Sequence, residues 1–99
     1  MKLVYTEQAL QSLEEALAFV APKVSYEKLM QIRGLILDKA DHLISQPLKG
    51  QKEPLLEHLG LKHRRLVEGH YKIIYRIIGE YIYITDIFDS RQDSDKMKA

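Results

Sequence analysis

The stretch RRLVEGHYKIIYRIIGEYIYITDIFDSRQD, Arg64 to Asp93, constrains the fold more than any other part of the chain. Gly69 and the pair Gly79–Glu80 are tight-turn signals set between runs of β-branched and aromatic residues. They divide the stretch into three strands, about His63–Glu68, Tyr71–Ile78 and Tyr81–Phe88, which short turns make an antiparallel meander. Side chains alternate across a strand, so Tyr71, Ile73, Tyr75 and Ile77 share one face and Lys72, Ile74, Arg76 and Ile78 the other. The first face carries no formal charge and is the core face. The second cannot be fully buried, because an unpaired buried cation costs several kcal/mol. Lys72 and Arg76, joined by Arg65 of the neighbouring strand, are therefore expected to line an open sheet face able to receive an anion. The competing expectation is an ordinary solvated face, with Arg76 paired across strands to Asp86.

The residues upstream supply the cover. Lys2–Tyr5 reads as a short strand. Thr6 is placed to cap a helix whose apolar stripe is Leu10, Leu13, Leu17 and Val20, ended by Ala21–Pro22. Ser25 caps a second helix, expected to run to about Ser45, with Pro47 closing it. Leu29, Ile32, Ile36, Ala40 and Leu43 form one stripe of that helix, and Met30, Leu37 and Ile44 a second beside it. An apolar arc that wide is packed on two sides or docks a partner. Gln46–Gly60, with two prolines and two glycines, reads as a surface loop holding a short helical turn near Leu55–Leu59. The fold class expected is α+β: a short N-terminal strand, a two-helix hairpin and a three-stranded antiparallel meander, with the helices on one face of the sheet.

The chain has 99 residues, enough for one domain spanning 1–99 with a modest core. With no cysteine, disulfide and thiolate chemistry are excluded and a cytoplasmic location is expected. No apolar run approaches a membrane span and the N-terminus lacks the apolar region of a secretory signal. The four histidines, His42, His58, His63 and His70, lack metal-ligand spacing, and no glycine loop suits a phosphate, so neither metal nor cofactor is expected. The net charge is only +1, but Lys62, Arg64, Arg65, Lys72 and Arg76 stand against the single Glu68 within residues 62–76. Clustered cations, more than the total, favour an anionic or acidic partner.

Taken together, Arg64–Val67, the run Gly69–Arg76 with its Gly-x-Tyr-Lys-φ-φ-Tyr-Arg pattern (φ, apolar), the strand Tyr81–Phe88 and Arg91–Asp93 resemble the RelE/ParE superfamily of toxins from bacterial type II toxin–antitoxin modules, also described as plasmid stabilisation proteins. The resemblance covers nearly the whole chain. The stretch LEHLG before the first arginine and the ending FDSRQDSDKM are closer to the ParE-like branch.

The resemblance implies two kinds of activity. A ParE-like member inhibits DNA gyrase by binding, and Arg64, Arg65, Lys72, Arg76 and Arg91 would form the contact surface. A RelE-like member is an endoribonuclease that cleaves messenger RNA on the ribosome through the substrate 2′-OH, and Arg65, Lys72, Arg91 and His63 would be its catalytic candidates. Lys72 stands where that class carries arginine, and the C-terminal SDKMKA lacks the tyrosine or histidine that such enzymes use for proton transfer. The resemblance further implies a cognate antitoxin in a hetero-oligomer, for which the Met30/Leu37/Ile44 stripe is the expected docking site. A non-toxic interaction module that has kept only the fold is the remaining alternative.

Overall fold

A computed structural model describes residues 1–99. Strand β1 (Lys2–Tyr5) leads into helix α1 (Glu7–Val20) through Thr6, whose hydroxyl accepts the Ala9 amide and donates to the Ile84 carbonyl. One side chain thus caps the helix and ties it to the far strand. A tight turn at Ala21–Lys23 places Pro22, and Ser25 caps helix α2 (Tyr26–Asp41) by accepting the Lys28 amide. Helix α2 stops four residues before the expected Ser45. A 3₁₀ turn at His42–Ile44 tightens its end, and the chain then enters the Pro47 loop.

Five strands form one mixed sheet in the order β1-β5-β4-β3-β2. The meander β3 (Arg64–Glu68), β4 (Tyr71–Ile78) and β5 (Tyr81–Asp89) is antiparallel, as the turn signals required. Gly69 and Gly79 have φ of 58° and 59° while His70 and Glu80 do not, the signature of type II′ turns. The N-terminal strand closes one edge parallel to β5, and the two-residue β2 (Gln51–Lys52) lies antiparallel on the other edge beside β3.

Both helices cover one sheet face. The core there joins Ala9, Leu13 and Ala16 of α1, Ile36 and Ala40 of α2 and Leu43 to Leu66, Tyr71, Ile73, Tyr75, Ile82, Ile84 and Ile87. Helix α1 is rotated from the expected stripe. Its small residues Ala9, Ser12 and Ala16 face the sheet and let the backbones approach, while Leu10 is exposed. A bulge on β5 sets Ile74 opposite Asp86 but Tyr75 opposite Ile84, leaving Thr85 as the extra residue. It switches the inward parity of β5 from even to odd, so that Ile82, Ile84 and Ile87 all reach the same core.

Candidate functional site

The register arranges the open face of the sheet in rows. Val67, Lys72 and Phe88 form the first row, and Gln51, Arg65, Ile74 and Asp86 the second. Arg76, Tyr83 and Val4 form the third, and Ile78, Tyr81 and Lys2 the fourth. The first two rows are not open. Leu56, from the 3₁₀ turn Pro54–Leu59, and Met97, near the C-terminus, pack on Ile74 and Phe88 in a second small core. The tail is held there by the Lys98 amide, which donates to Asp86 Oδ2 at 2.9 Å, and by the Gln8 side-chain amide, which donates to the Ala99 carbonyl. Asp86 therefore serves the tail and makes no ion pair with Arg76. Burial raises its pKa although the Lys98 amide and Ser12 oppose the shift.

Beside this small core the cations meet a buried carboxylate. Glu53 is 1% exposed. Lys72 Nζ donates to its Oε1 at 2.9 Å, and Arg65 Nη1 stands 3.4 Å from its Oε2, near enough for ionic attraction though not aligned as a hydrogen bond. Glu53 continues the β2–β3 pairing, its amide donating to the His63 carbonyl. Two of the three cations assigned to the open face thus neutralise a buried carboxylate that sequence reasoning missed. Its only signal was an acid at the end of a two-residue strand, paired to cations 12 and 19 residues further along the chain. His63 lies beside them, 3% exposed, with neither ring nitrogen hydrogen-bonded. Burial first, then the nearby Arg76, lowers its pKa. The preceding Lys62 has φ of 60°, a left-handed conformation that strains the loop delivering His63.

The remaining candidates lie elsewhere. Arg64 points to the opposite face from Arg65, as adjacent strand residues must, and its guanidinium donates to the Gly50 carbonyl at 2.6 Å. That contact belongs to a buried hub. The Gly50 amide donates to the Tyr75 hydroxyl and the hydroxyl donates to the Pro47 carbonyl, each at 2.9 Å. Any side chain at position 50 would meet the Tyr75 hydroxyl at 2.5 Å and the Arg65 carbonyl at 2.6 Å, so the site demands glycine. Arg91 forks onto Asp89 through Nε at 3.0 Å and Nη2 at 2.8 Å, while its backbone amide also donates to Asp89. Arg91 holds the Asp89 pKa below the usual carboxylate range. Asp89 is paired to Tyr71, whose pKa burial raises with help from the Asp89 charge. The five cations therefore form no single surface: Arg65, Lys72 and Arg76 share the open face, and Arg64 and Arg91 do not.

The Met30/Leu37/Ile44 stripe is likewise divided. Met30 and Ile44 are exposed, Leu37 packs on the main core, and Ile44 lies beyond the helix in the 3₁₀ turn. A better-formed apolar depression of about 390 Å³ lies between α2 and the β3–β4 turn. Val20, Ile32, Leu35, Ile36 and Tyr71 line it, and Lys28, His70 and Arg91 stand among its polar residues. No three His, Asp or Glu side chains lie close enough to hold a metal ion, and no helix is long and apolar enough to cross a membrane.

These features can be set beside known proteins. No curated protein matches the sequence. Among solved structures, the chain is similar to one described as the chromosomal ParDE TA system from P. aeruginosa, with a TM-score of 0.73 at 19% identity, over 90% of this chain and 95% of that one. At that identity the likeness speaks for the fold, and it matches the strand, two helices and sheet described above. The sequence model of the family described as ParE toxin of type II toxin-antitoxin system, parDE, matches residues 3–94. The match takes in both helices and the whole sheet except Lys2, the first residue of β1, and the chain belongs to the ParE toxin family.

Proposed function

We propose that the protein inhibits bacterial growth by binding DNA gyrase and that a cognate antitoxin neutralises it. Family membership sets the frame. The observation that favours binding over messenger cleavage is the state of the catalytic candidates. His63 is buried and held toward its neutral form, Lys72 is engaged by Glu53, and Arg91 is engaged by Asp89. A proton-transfer group must reach the proton it moves, and His63 is 3% exposed with both ring nitrogens shielded from solvent. A binding surface needs no such group. Half-buried Arg76, with the outer sides of Arg65 and Lys72, whose side chains are about a fifth exposed, supplies a cationic target face. Arg64 and Arg91 fall outside it.

The antitoxin is the second partner. The depression between α2 and the β3–β4 turn offers an apolar floor with Lys28, His70 and Arg91 at its sides against the single acid Glu68, which suits an amphipathic segment bearing acidic residues. Exposed Met30 lies on the same helix and can extend that contact.

The test is supercoiling of relaxed plasmid by purified DNA gyrase with increasing amounts of the chain. The expected result is a dose-dependent loss of supercoiling, reversed by the antitoxin, while translation persists in induced cells. Undisturbed supercoiling together with prompt messenger cleavage on ribosomes would replace this reading with the ribonuclease one.

A further inference from the structure

The small core covers only half of the open face. The third and fourth rows, toward the β4–β5 turn, lie outside it. Tyr81 and Tyr83 project from the same face of β5, which lies inside the sheet between β1 and β4. Their ring centroids are 6.0 Å apart with planes tilted by 36°. Tyr81 is 41% exposed and its cross-strand neighbour Ile78 47%. Arg76 stands opposite Tyr83, and Lys2 stands opposite Tyr81 on the other side. No paired position of these two rows carries a carboxylate. Arg76 is half-buried, and its Nε is shielded from solvent with no hydrogen-bond partner.

We infer that this half of the sheet is a binding platform for single-stranded nucleic acid. Rings standing on neighbouring same-face positions of an inner strand present successive stacking surfaces, the device by which sheet modules receive unpaired bases. The 6.0 Å separation suits bases of a strand drawn out beyond the roughly 3.4 Å rise of a stacked duplex strand. Arg76 and Lys2 flank the rings on either side, where a backbone crossing β5 would set its phosphates. The ring faces favour bases over an acidic peptide, which would use the cations and leave the tyrosines without a stacking partner. The surface adjoins the proposed target face and shares Arg76 with it. The inference does not rest on the gyrase reading.

The experiment uses the chain alone with a fluorescein-labelled twelve-nucleotide oligodeoxythymidylate, followed by anisotropy from low to moderate salt. Saturable binding is expected, with a log–log salt slope near −1.4 for about two phosphate contacts. Tyr81→Ala and Tyr83→Ala should each weaken binding about tenfold, whereas Tyr81→Phe, which keeps the ring, should stay within about twofold. Arg76→Gln should weaken binding and bring the slope to about −0.7. Tyr81 is exposed enough for its alanine variant to fold, and that variant carries the test if Tyr83→Ala does not. Absence of saturable binding at low salt overturns the inference, as does binding indifferent to both tyrosines. Equal, tyrosine-dependent binding of polyglutamate also overturns it and makes the platform a site for an acidic protein segment.

Discussion

Ile73 and Ile74 are neighbours on β4, both fully buried, and each anchors a different face of the sheet. Ile73 belongs to a cluster of 13 residues roofed by two helices. Ile74 belongs to a cluster of four, roofed by Leu56 from a 3₁₀ turn and Met97 from the tail. Beside the small cluster sits an ionic one, in which Glu53 gathers Lys72 and Arg65. One face is thus held by apolar packing under regular elements. The other is held by a small apolar patch and a buried carboxylate under irregular segments. Strand alternation governs the first. On the second, what decides burial is which distant segment happens to lie across it.

The comparison is sharpened most by emptying the two isoleucine sites in turn. Truncating a fully buried isoleucine costs about 2–5 kcal/mol, the spread reflecting how far the surroundings can collapse. Ile73→Ala, among helices and strands that cannot shift independently, is expected near the top, about 4 kcal/mol. Ile74→Ala, beneath a turn and a tail, is expected near the bottom, about 2 kcal/mol. Urea unfolding of both variants measures the difference. Equal losses would show that the second face is as rigid as the first.

Next in size is the carboxylate. Glu53→Gln leaves Lys72 and Arg65 facing each other across a neutral group. Breaking a buried ion pair by removing one partner costs about 3 kcal/mol or more, and partial exposure of both cations brings this case to about 2–3 kcal/mol. Replacing Glu53 and Lys72 together by apolar residues should recover much of that loss. A double variant no more stable than Glu53→Gln alone would mean that the ionic cluster contributes through packing only.

On the helix side the corresponding polar feature is the Tyr75 hydroxyl. Tyr75→Phe leaves the Gly50 amide and the Pro47 carbonyl without their partner, at about 1–2 kcal/mol. Hydrogen exchange at Gly50 should rise in step with the loss of stability. If exchange rises while global stability holds, the hub fastens the Pro47–Lys52 loop alone.

The difference between the faces also marks what the sequence could reveal. Thr6 and Ser25 are legible as caps because capping is local chemistry, and Gly69 and Gly79 as turns for the same reason. Alternation placed Tyr71, Ile73, Tyr75 and Ile77 inward, since all it needs is a strand and one covered face. It failed at Ile74, because Leu56 and Met97 lie on segments without periodicity. The Thr85 bulge leaves no mark either, since it shows only in the register of β5 against β4. The buried face of helix α1 lies about one residue from its leucine stripe, because Ala9, Ser12 and Ala16 meet the sheet while Leu10 does not. The candidate site suffered most. Arg64 and Arg65 are adjacent in sequence and opposite in space, and the partner that explains Arg65 and Lys72 is non-local. Only family resemblance drew the five cations together.

The smallest expected effect is one of pH, and it sets the two faces against each other through His63 and Asp86. The folded pKa of His63 lies below its ordinary value of 6.5, so the unfolded chain binds its proton more readily. Its contribution to stability is full above that ordinary value and is lost as pH falls through 6.5 toward the folded pKa. Asp86 acts in the opposite sense. Its folded pKa lies above 3.8, so the native state takes up the proton first and acid relieves the cost of burying the charge. A modest fall in unfolding midpoint is therefore expected as pH drops from 7 through 6.5, and Asp86 opposes it only in more acid solution, where its carboxyl takes up its proton. His63→Leu should flatten the fall, because an apolar side chain in that buried place has nothing to protonate. Asp86→Asn should remove that opposition on the acid limb while leaving the fall through 6.5 in place. Arg76→Gln should make it shallower without abolishing it, since burial is the larger cause of the His63 shift and Arg76 the smaller. A slope unchanged in His63→Leu would place the acid sensitivity with other groups and return His63 to the status of a packed, silent ring.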